Sequence, residues 1–151
     1  MSEEKKAPAP ARPAATVVIL RDGPQGIETF MVVRHHAIDF ASGALVFPGG
    51  KVDDGELPEQ ALSRELDEEL GIVVHPENLR PACFASEPLG PAQLLLLLFV
   101  SRKWDGVAHA REASELRWVD FPDLRSLEMP PADGPLIDLL EKLISGDGPI
   151  L

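Results

Sequence analysis

The sequence predicts an α/β fold, a mixed β-sheet covered by helices on both faces. Three observations carry that expectation. Short runs rich in β-branched and aliphatic residues alternate irregularly with two amphipathic helical stretches and a helical turn. One run, residues 93–100, is apolar without a break and has the length of a central strand buried on both faces. The chain shows no internal repeat, and its 151 residues suit one domain with a real hydrophobic core.

Residues 1–14 are charged and rich in Pro and Ala, the composition of a disordered tail, so the domain is expected over 15–151. Residues 15–21 read as a strand. Asp22-Gly23-Pro24-Gln25-Gly26 is turn chemistry, and residues 28–34 answer as the second strand of a hairpin. Residues 35–43 show no period and read as a loop. A short strand over 44–47 runs into Pro48-Gly49-Gly50, where glycines permit close approach of the backbone to an ion or phosphate.

A helix is expected over 57–70. Pro58 falls in its first turn, Gly71 falls just past its end, and Leu62, Leu66 and Leu70 form its buried stripe. Residues 72–75 and 80–86 read as short strands separated by Pro76, and 87–91 as a loop before the long apolar strand. Residues 105–114 are polar and irregular, 116–121 read as a strand and 122–127 as a helical turn. A last helix is expected from 134 to about 145. Asp133 is placed to cap it, with Leu136, Ile137, Leu140 and Ile144 facing inward.

The formal charge is −11, from 25 acidic against 14 basic residues. That balance argues against binding a nucleic-acid polymer, which needs basic surface to displace counterions. It agrees with a protein that meets a phosphate-rich small molecule through a divalent cation. Cys83 is the only cysteine, so no internal disulfide forms, and it reads as a small core residue. The N-terminus has no apolar signal core, and the longest apolar run is too short to cross a bilayer. A cytoplasmic, reducing setting is expected.

The chemistry concentrates in residues 50–72, GKVDDGELPEQALSRELDEELGI. Glu65, Glu68 and Glu69 are spaced i, i+3, i+4, so their carboxylates share one stripe of the helix. Like charges at that spacing destabilise a bare helix by about 0.2–0.5 kcal/mol per pair. A cation removes the repulsion. Hard oxygen donors suit Mg²⁺, Mn²⁺ or Ca²⁺ better than Zn²⁺.

Gly50, five residues, Glu56, seven residues, then Arg64-Glu65-Leu66-Asp67-Glu68-Glu69-Leu70-Gly71-Ile72 resembles the Nudix hydrolase signature at every constrained position. The resemblance implies an α/β/α sandwich with the signature loop and helix at one edge of the sheet. It also implies hydrolysis of a nucleoside diphosphate linked to another group, using Mg²⁺ or Mn²⁺. By motif position, Glu65, Glu68, Glu69 and the Gly50 carbonyl would be metal ligands, with Glu65 or a neighbouring carboxylate as the base. Arg64 would pair with an acidic neighbour, and Glu56 would support the loop or bind water around the metal. A further carboxylate from outside the motif often completes such sites; Glu112 and Glu115 are the candidates, Glu112 being favoured.

Two segments point to different substrates. Residues 34–53 are similar to coenzyme A diphosphatases at Arg34, Gly43, Leu45 and Phe47-Pro48-Gly49-Gly50, but Asp39 and Ala41 stand where that family has an Arg and a His. The C-terminal third resembles the MutT-type nucleoside triphosphate pyrophosphohydrolases, with Lys103-Trp104-Asp105-Gly106, Arg111-Glu112, Trp118 and Met129-Pro130-Pro131-Ala132-Asp133 in that family's order. In that alignment Glu112 takes the extra metal-linked position. Asp133 takes a base-recognising position, where an ionised carboxylate would accept from the N1–H and amino group of guanine. Its competing role is the helix cap. Trp118 reads as core before a base-stacking platform. The expected substrate is therefore a nucleoside triphosphate, oxidised ones included. Coenzyme A or another dinucleotide-like diphosphate is the alternative, and a catalytically silent ligand sensor is the reading from another class. A homodimer is compatible with the sequence without being demanded by it.

Overall fold

The computed structural model describes residues 11–33, 45–111, 115–127, 129 and 133–144. Its centre is a long first strand, β1 (Ala11–Gly23), which serves two halves of one sheet. The C-terminal end of β1 turns through Pro24-Gln25 and pairs antiparallel with β2 (Gly26–Val33), in register from Leu20↔Thr29 to Gly23↔Gly26. Strands β3 (Leu45–Val46) and β7 (Glu115–Asp120) pair with β2. The N-terminal part of β1 pairs antiparallel with β4 (Gly49–Lys51). It also runs parallel to β6 (Ala92–Ser101), which is paired on its other side with β5 (Arg80–Leu89).

Period-two alternation sends successive β1 side chains to opposite faces. Ala15, Val17 and Ile19 join Phe30 and Phe99 under α1 (Pro58–Leu70), whose Leu62, Leu66 and Leu70 are buried. Val18 and Leu20 join Met31, Leu98 and Val100 on the other face. There they meet Leu136, Ile137 and Leu140 of α2 (Asp133–Lys142) and Phe121 and Leu124 of a 3₁₀ turn. The expected mixed sheet, covered on both faces, is present.

Several boundaries differ from expectation. The tail expected over 1–14 gives way to strand at Ala11, because Ala11–Ile19 find parallel partners in β6 and the Pro13 carbonyl accepts the Val52 N–H at 3.1 Å. The loop expected over 87–91 shrinks to Gly90-Pro91. Gly90, at φ 57°, makes the tight turn, and the edge strand β5 accommodates Pro81 at a register shift and Pro88 near its end. The central strand β6 is fully buried only at Leu98–Ser101, while Leu94 to Leu97 are partly buried, Leu96 packing against the α2-side core and Leu97 against the α1-side core. Instead of a strand over 72–75, only Val73 makes a bridge, to Asp105. Cys83 is half-buried against the α2-side core, and burial pushes its thiol pKa up. Among the described residues no helix is long and apolar enough to cross a membrane.

Candidate active site

The site begins where β4 meets β1. Val17 N–H and the Thr16 hydroxyl both donate to the Pro48 carbonyl, at 3.0 and 2.9 Å, pinning the chain as it enters the two glycines. Gly49 sits opposite Thr16 with φ 151°, and Gly50 sits opposite Ala15. A Cβ on Gly50 would stand 2.7 Å from the carboxyl carbon of Glu65. The missing side chain therefore makes the cradle in which that carboxylate lies, 17% exposed.

The loop between β4 and α1 closes on itself. The Asp53 N–H donates to Glu56 Oε1 and the Glu56 N–H donates to the Asp53 carbonyl, each at 3.0 Å. Helix α1 starts where the Gln60 side chain accepts the Leu57 N–H at 3.0 Å and Pro58 fills the first turn. It ends at Gly71, left-handed at φ 72°. On its inner flank the Ser63 hydroxyl donates to the Val74 carbonyl at 2.6 Å, fixing how the helix rolls on the sheet.

Arg64 is the hub. Its Nε and Nη2 donate to the two oxygens of Glu56 at 2.8 and 3.0 Å, and its Nη1 donates to Glu65 Oε1 at 3.1 Å. Glu68 at 3.4 Å and Asp53 at 3.3 Å lie at the edge of its reach. The i, i+4 pair with Glu68, the plain helix-surface alternative, is thus its weaker contact. Hydrogen bonds from Arg64, and then from the Asp53 N–H, pull the Glu56 carboxyl down to about 2, while Glu56 and Glu65 raise the guanidinium's pKa further. Glu56 is thus held by the loop through the Asp53 N–H and by Arg64.

Glu65, Glu68 and Glu69 lie along one flank of α1 as the spacing required, Glu68 being the most open at 61% exposed. Among the described residues no three carboxylate, imidazole or thiol groups already converge on one point. The stripe is a row of carboxylates, and Arg64 organises its near end. Arg34 and Glu112 lie outside the described residues, as do His35 and His36. Asp133 is the first residue of α2, and its side chain is likewise outside them. Glu115, the other candidate carboxylate, is gripped by Arg117 at 2.9 Å and 3.0 Å on an exposed face of β7, which engages both of its oxygens. Trp118 packs edge-on to Phe30 with centroids 5.3 Å apart and lies under the Arg21 guanidinium at 3.9 Å; it is partly buried against the α1-side core and also lines a cavity with Arg21 and Trp104.

The geometry can be set beside known proteins. The NUDIX domain matches residues 10–140. The chain belongs to the Nudix family. It is a Nudix hydrolase, 40% identical over 114 residues to the 8-oxo-dGTP diphosphatase of Haemophilus influenzae, covering 75% of this chain and 81% of that one. It is 32% identical over 112 residues to the enzyme of the same name from Escherichia coli, covering 74% and 85%. Among solved structures, the Escherichia coli ORF135 protein superposes with a TM-score of 0.80 at 26% identity, over 93% of this chain and 95% of that one.

Sequence reasoning missed one feature of this Nudix hydrolase. Arg111 and the loop before it are fastened to the C-terminal end of α1. The separation exceeds 40 residues, and no local pattern announces it.

Proposed function

We propose that this chain is a divalent-metal-dependent pyrophosphohydrolase that cleaves a nucleoside triphosphate, oxidised guanine nucleotides included, and releases pyrophosphate. The observation that carries the reading is the pairing of the Gly50 cradle with Glu65 at the head of the carboxylate stripe. The identity to 8-oxo-dGTP diphosphatases over three quarters of the chain supports the substrate class.

The donor set fits Mg²⁺ or Mn²⁺. Glu65, Glu68, Glu69, the Gly50 carbonyl and Glu112 are hard oxygen ligands, and like charges at i, i+3, i+4 spacing are eased further by a bound cation. Bound there, the cation supplies charge neutralisation for the polyphosphate and a lowered pKa for an attacking water. The chain's own residues do the rest. Glu65 or a neighbouring carboxylate accepts the water's proton as its oxygen bonds to phosphorus and the bridging P–O bond breaks. Arg64 fixes the Glu65 carboxylate, and Glu56 fixes Arg64. Asp133, at the start of α2, accepts from the donor edge of a guanine. The same reading places the enzyme in a cytoplasmic, reducing setting.

The test is a release assay with Mg²⁺ or Mn²⁺ across nucleoside triphosphates (8-oxo-dGTP among them), coenzyme A, nucleotide sugars, ADP-ribose and dinucleotides. Pyrophosphate from a triphosphate is the expected result, abolished by Glu68→Gln in a folded protein. Turnover confined to coenzyme A would replace this reading with the one residues 34–53 suggest. Ligand binding that survives Glu68→Gln, with no turnover by the unmodified protein, would replace it with a sensor.

A further inference from the structure

The last turn of α1 carries the wrong charges for its position. A helix C-terminus is the negative end of the macrodipole and favours cations, yet Glu68 and Glu69 stand there and no basic residue of the helix does. The last four carbonyls, 67–70, also lack ordinary partners further along the helix. Asp67 O accepts from Gly71 N–H at 3.0 Å, which closes one of them.

Two of the other three carbonyls, those of Glu68 and Leu70, are held from across the molecule. Arg111 donates Nη1 to the carbonyls of Asp67 and Glu68, at 3.1 and 3.3 Å, across 44 and 43 residues of sequence. The His109 N–H donates to the Leu70 carbonyl at 2.9 Å. The same loop is tied to the exit of the helix by a reciprocal pair of bonds between Val73 and Asp105, at 3.0 and 2.9 Å. Gly71 leaves room for this arrangement, because a Cβ there would stand 2.8 Å from Arg111 Nη2. Its left-handed φ of 72° and its missing side chain therefore serve one end: the chain turns away and the guanidinium seats on the helix.

We propose that Arg111 is a positioning residue for the metal-binding stripe. It supplies the cation that the last turn of α1 lacks, and it holds the Asp67 and Glu68 carbonyls so that the Glu68 and Glu69 side chains leave the helix from a fixed backbone. It acts through the helix and touches no reacting atom. The inference rests on the metal reading of the stripe, and its test separates the two.

The experiment is Mn²⁺ binding to the full chain, by calorimetry and by the electron spin resonance of free Mn²⁺, with kcat and KM for pyrophosphate release measured in parallel. Unmodified protein, Arg111→Ala, Arg111→Lys and Glu68→Gln are compared. Arg111→Ala is expected to weaken Mn²⁺ about tenfold and to lower kcat while KM for the nucleotide holds. Arg111→Lys is expected to recover part of the loss, since it restores the charge without the planar fork. Mn²⁺ affinity and kcat unchanged in Arg111→Ala, with only the metal-free melting temperature reduced, would make Arg111 a structural cap and overturn the proposal. If Arg111→Ala does not fold, Arg111→Lys and Arg111→Gln decide on the same readouts. An unmodified protein that binds no Mn²⁺ would overturn the metal reading itself, and this one with it.

Discussion

Arg64 holds Glu56 by both carboxylate oxygens, at 2.8 and 3.0 Å, and with its remaining nitrogen reaches Glu65 at 3.1 Å. One planar guanidinium therefore joins the loop that precedes α1 to the first carboxylate of the stripe. A lysine cannot reproduce this, because a single ammonium on a flexible stem has no fork. Arg64→Lys is expected to lower pyrophosphate release about 10–100-fold while circular dichroism stays that of the folded protein. Steady-state kinetics of the purified variant check it, and full activity would remove Arg64 from the site.

The same bond sets a pH dependence. Arg64 first, and the Asp53 N–H second, draw the Glu56 carboxyl from 4.5 to about 2. As pH falls through that window the unfolded chain takes up the proton before the folded one does. The stabilisation is therefore complete above 4.5 and drains away toward 2. Glu56→Gln keeps the shape but has no proton to exchange there. Its melting temperature should lie below that of the unmodified protein at neutral pH, and the gap should close as pH falls from 4.5 toward 2. A gap independent of pH would mean that Arg64 and Glu56 are not coupled in solution.

Two neighbouring glycines should fail in different ways. At Gly49, φ is 151° and a Cβ would collide with the backbone of β1, at the Ala15 carbonyl and 2.7 Å from the Thr16 Cα, so nothing soft can yield. Gly49→Ala is expected to unfold the β1–β4 junction and to appear as low soluble yield or a sharply lowered melting temperature. At Gly50 the obstacle is the far end of the Glu65 side chain, which can swing aside. Gly50→Ala should therefore fold and melt near the unmodified protein, yet lose Mn²⁺ affinity and turnover about tenfold as Glu65 leaves its cradle. Equal melting temperatures for the two variants would contradict this division.

What the sequence disclosed was local. Helix α1 was legible to within one residue because Pro58, the leucine stripe and Gly71 act within one helix, and the carboxylate stripe came with it. Boundaries that rest on distant partners were hidden. Ala11 to Ala14 look like tail until β6 pairs with them, and Pro81 and Pro88 look like breakers until β5 proves to be an edge strand. The apolar run correctly marked β6 as a strand between two cores, but its first half is only partly buried, which depends on side chains brought from distant elements. Arg111 stood out only beside Glu112 in a motif, and its seat on the end of α1 left no local trace, since its partners lie 44 and 43 residues away.

The two sides of α1 offer the cleanest separation of folding from chemistry. Leu66 is fully buried, so Leu66→Ala should cost about 2–5 kcal/mol of stability by transfer and cavity terms. Its neighbour two positions on, Glu68, is 61% exposed, and its bond to Arg64 is long at 3.4 Å. Losing that exposed contact costs little, and removing one charge from the stripe eases its like-charge repulsion. Metal-free Glu68→Gln should therefore melt close to the unmodified protein. The difference appears when Mn²⁺ is added. A cation that binds only the folded state at about 100 times its Kd stabilises by about 2.7 kcal/mol, and a variant that has lost a ligand forfeits most of that. Melting curves with and without Mn²⁺ should thus shift strongly for the unmodified protein, shift as strongly from a lower base for Leu66→Ala, and barely move for Glu68→Gln. If Glu68→Gln kept the whole Mn²⁺ shift, Glu68 would not be a ligand, and the metal would have to be held by Glu65, Glu69 and groups beyond the helix.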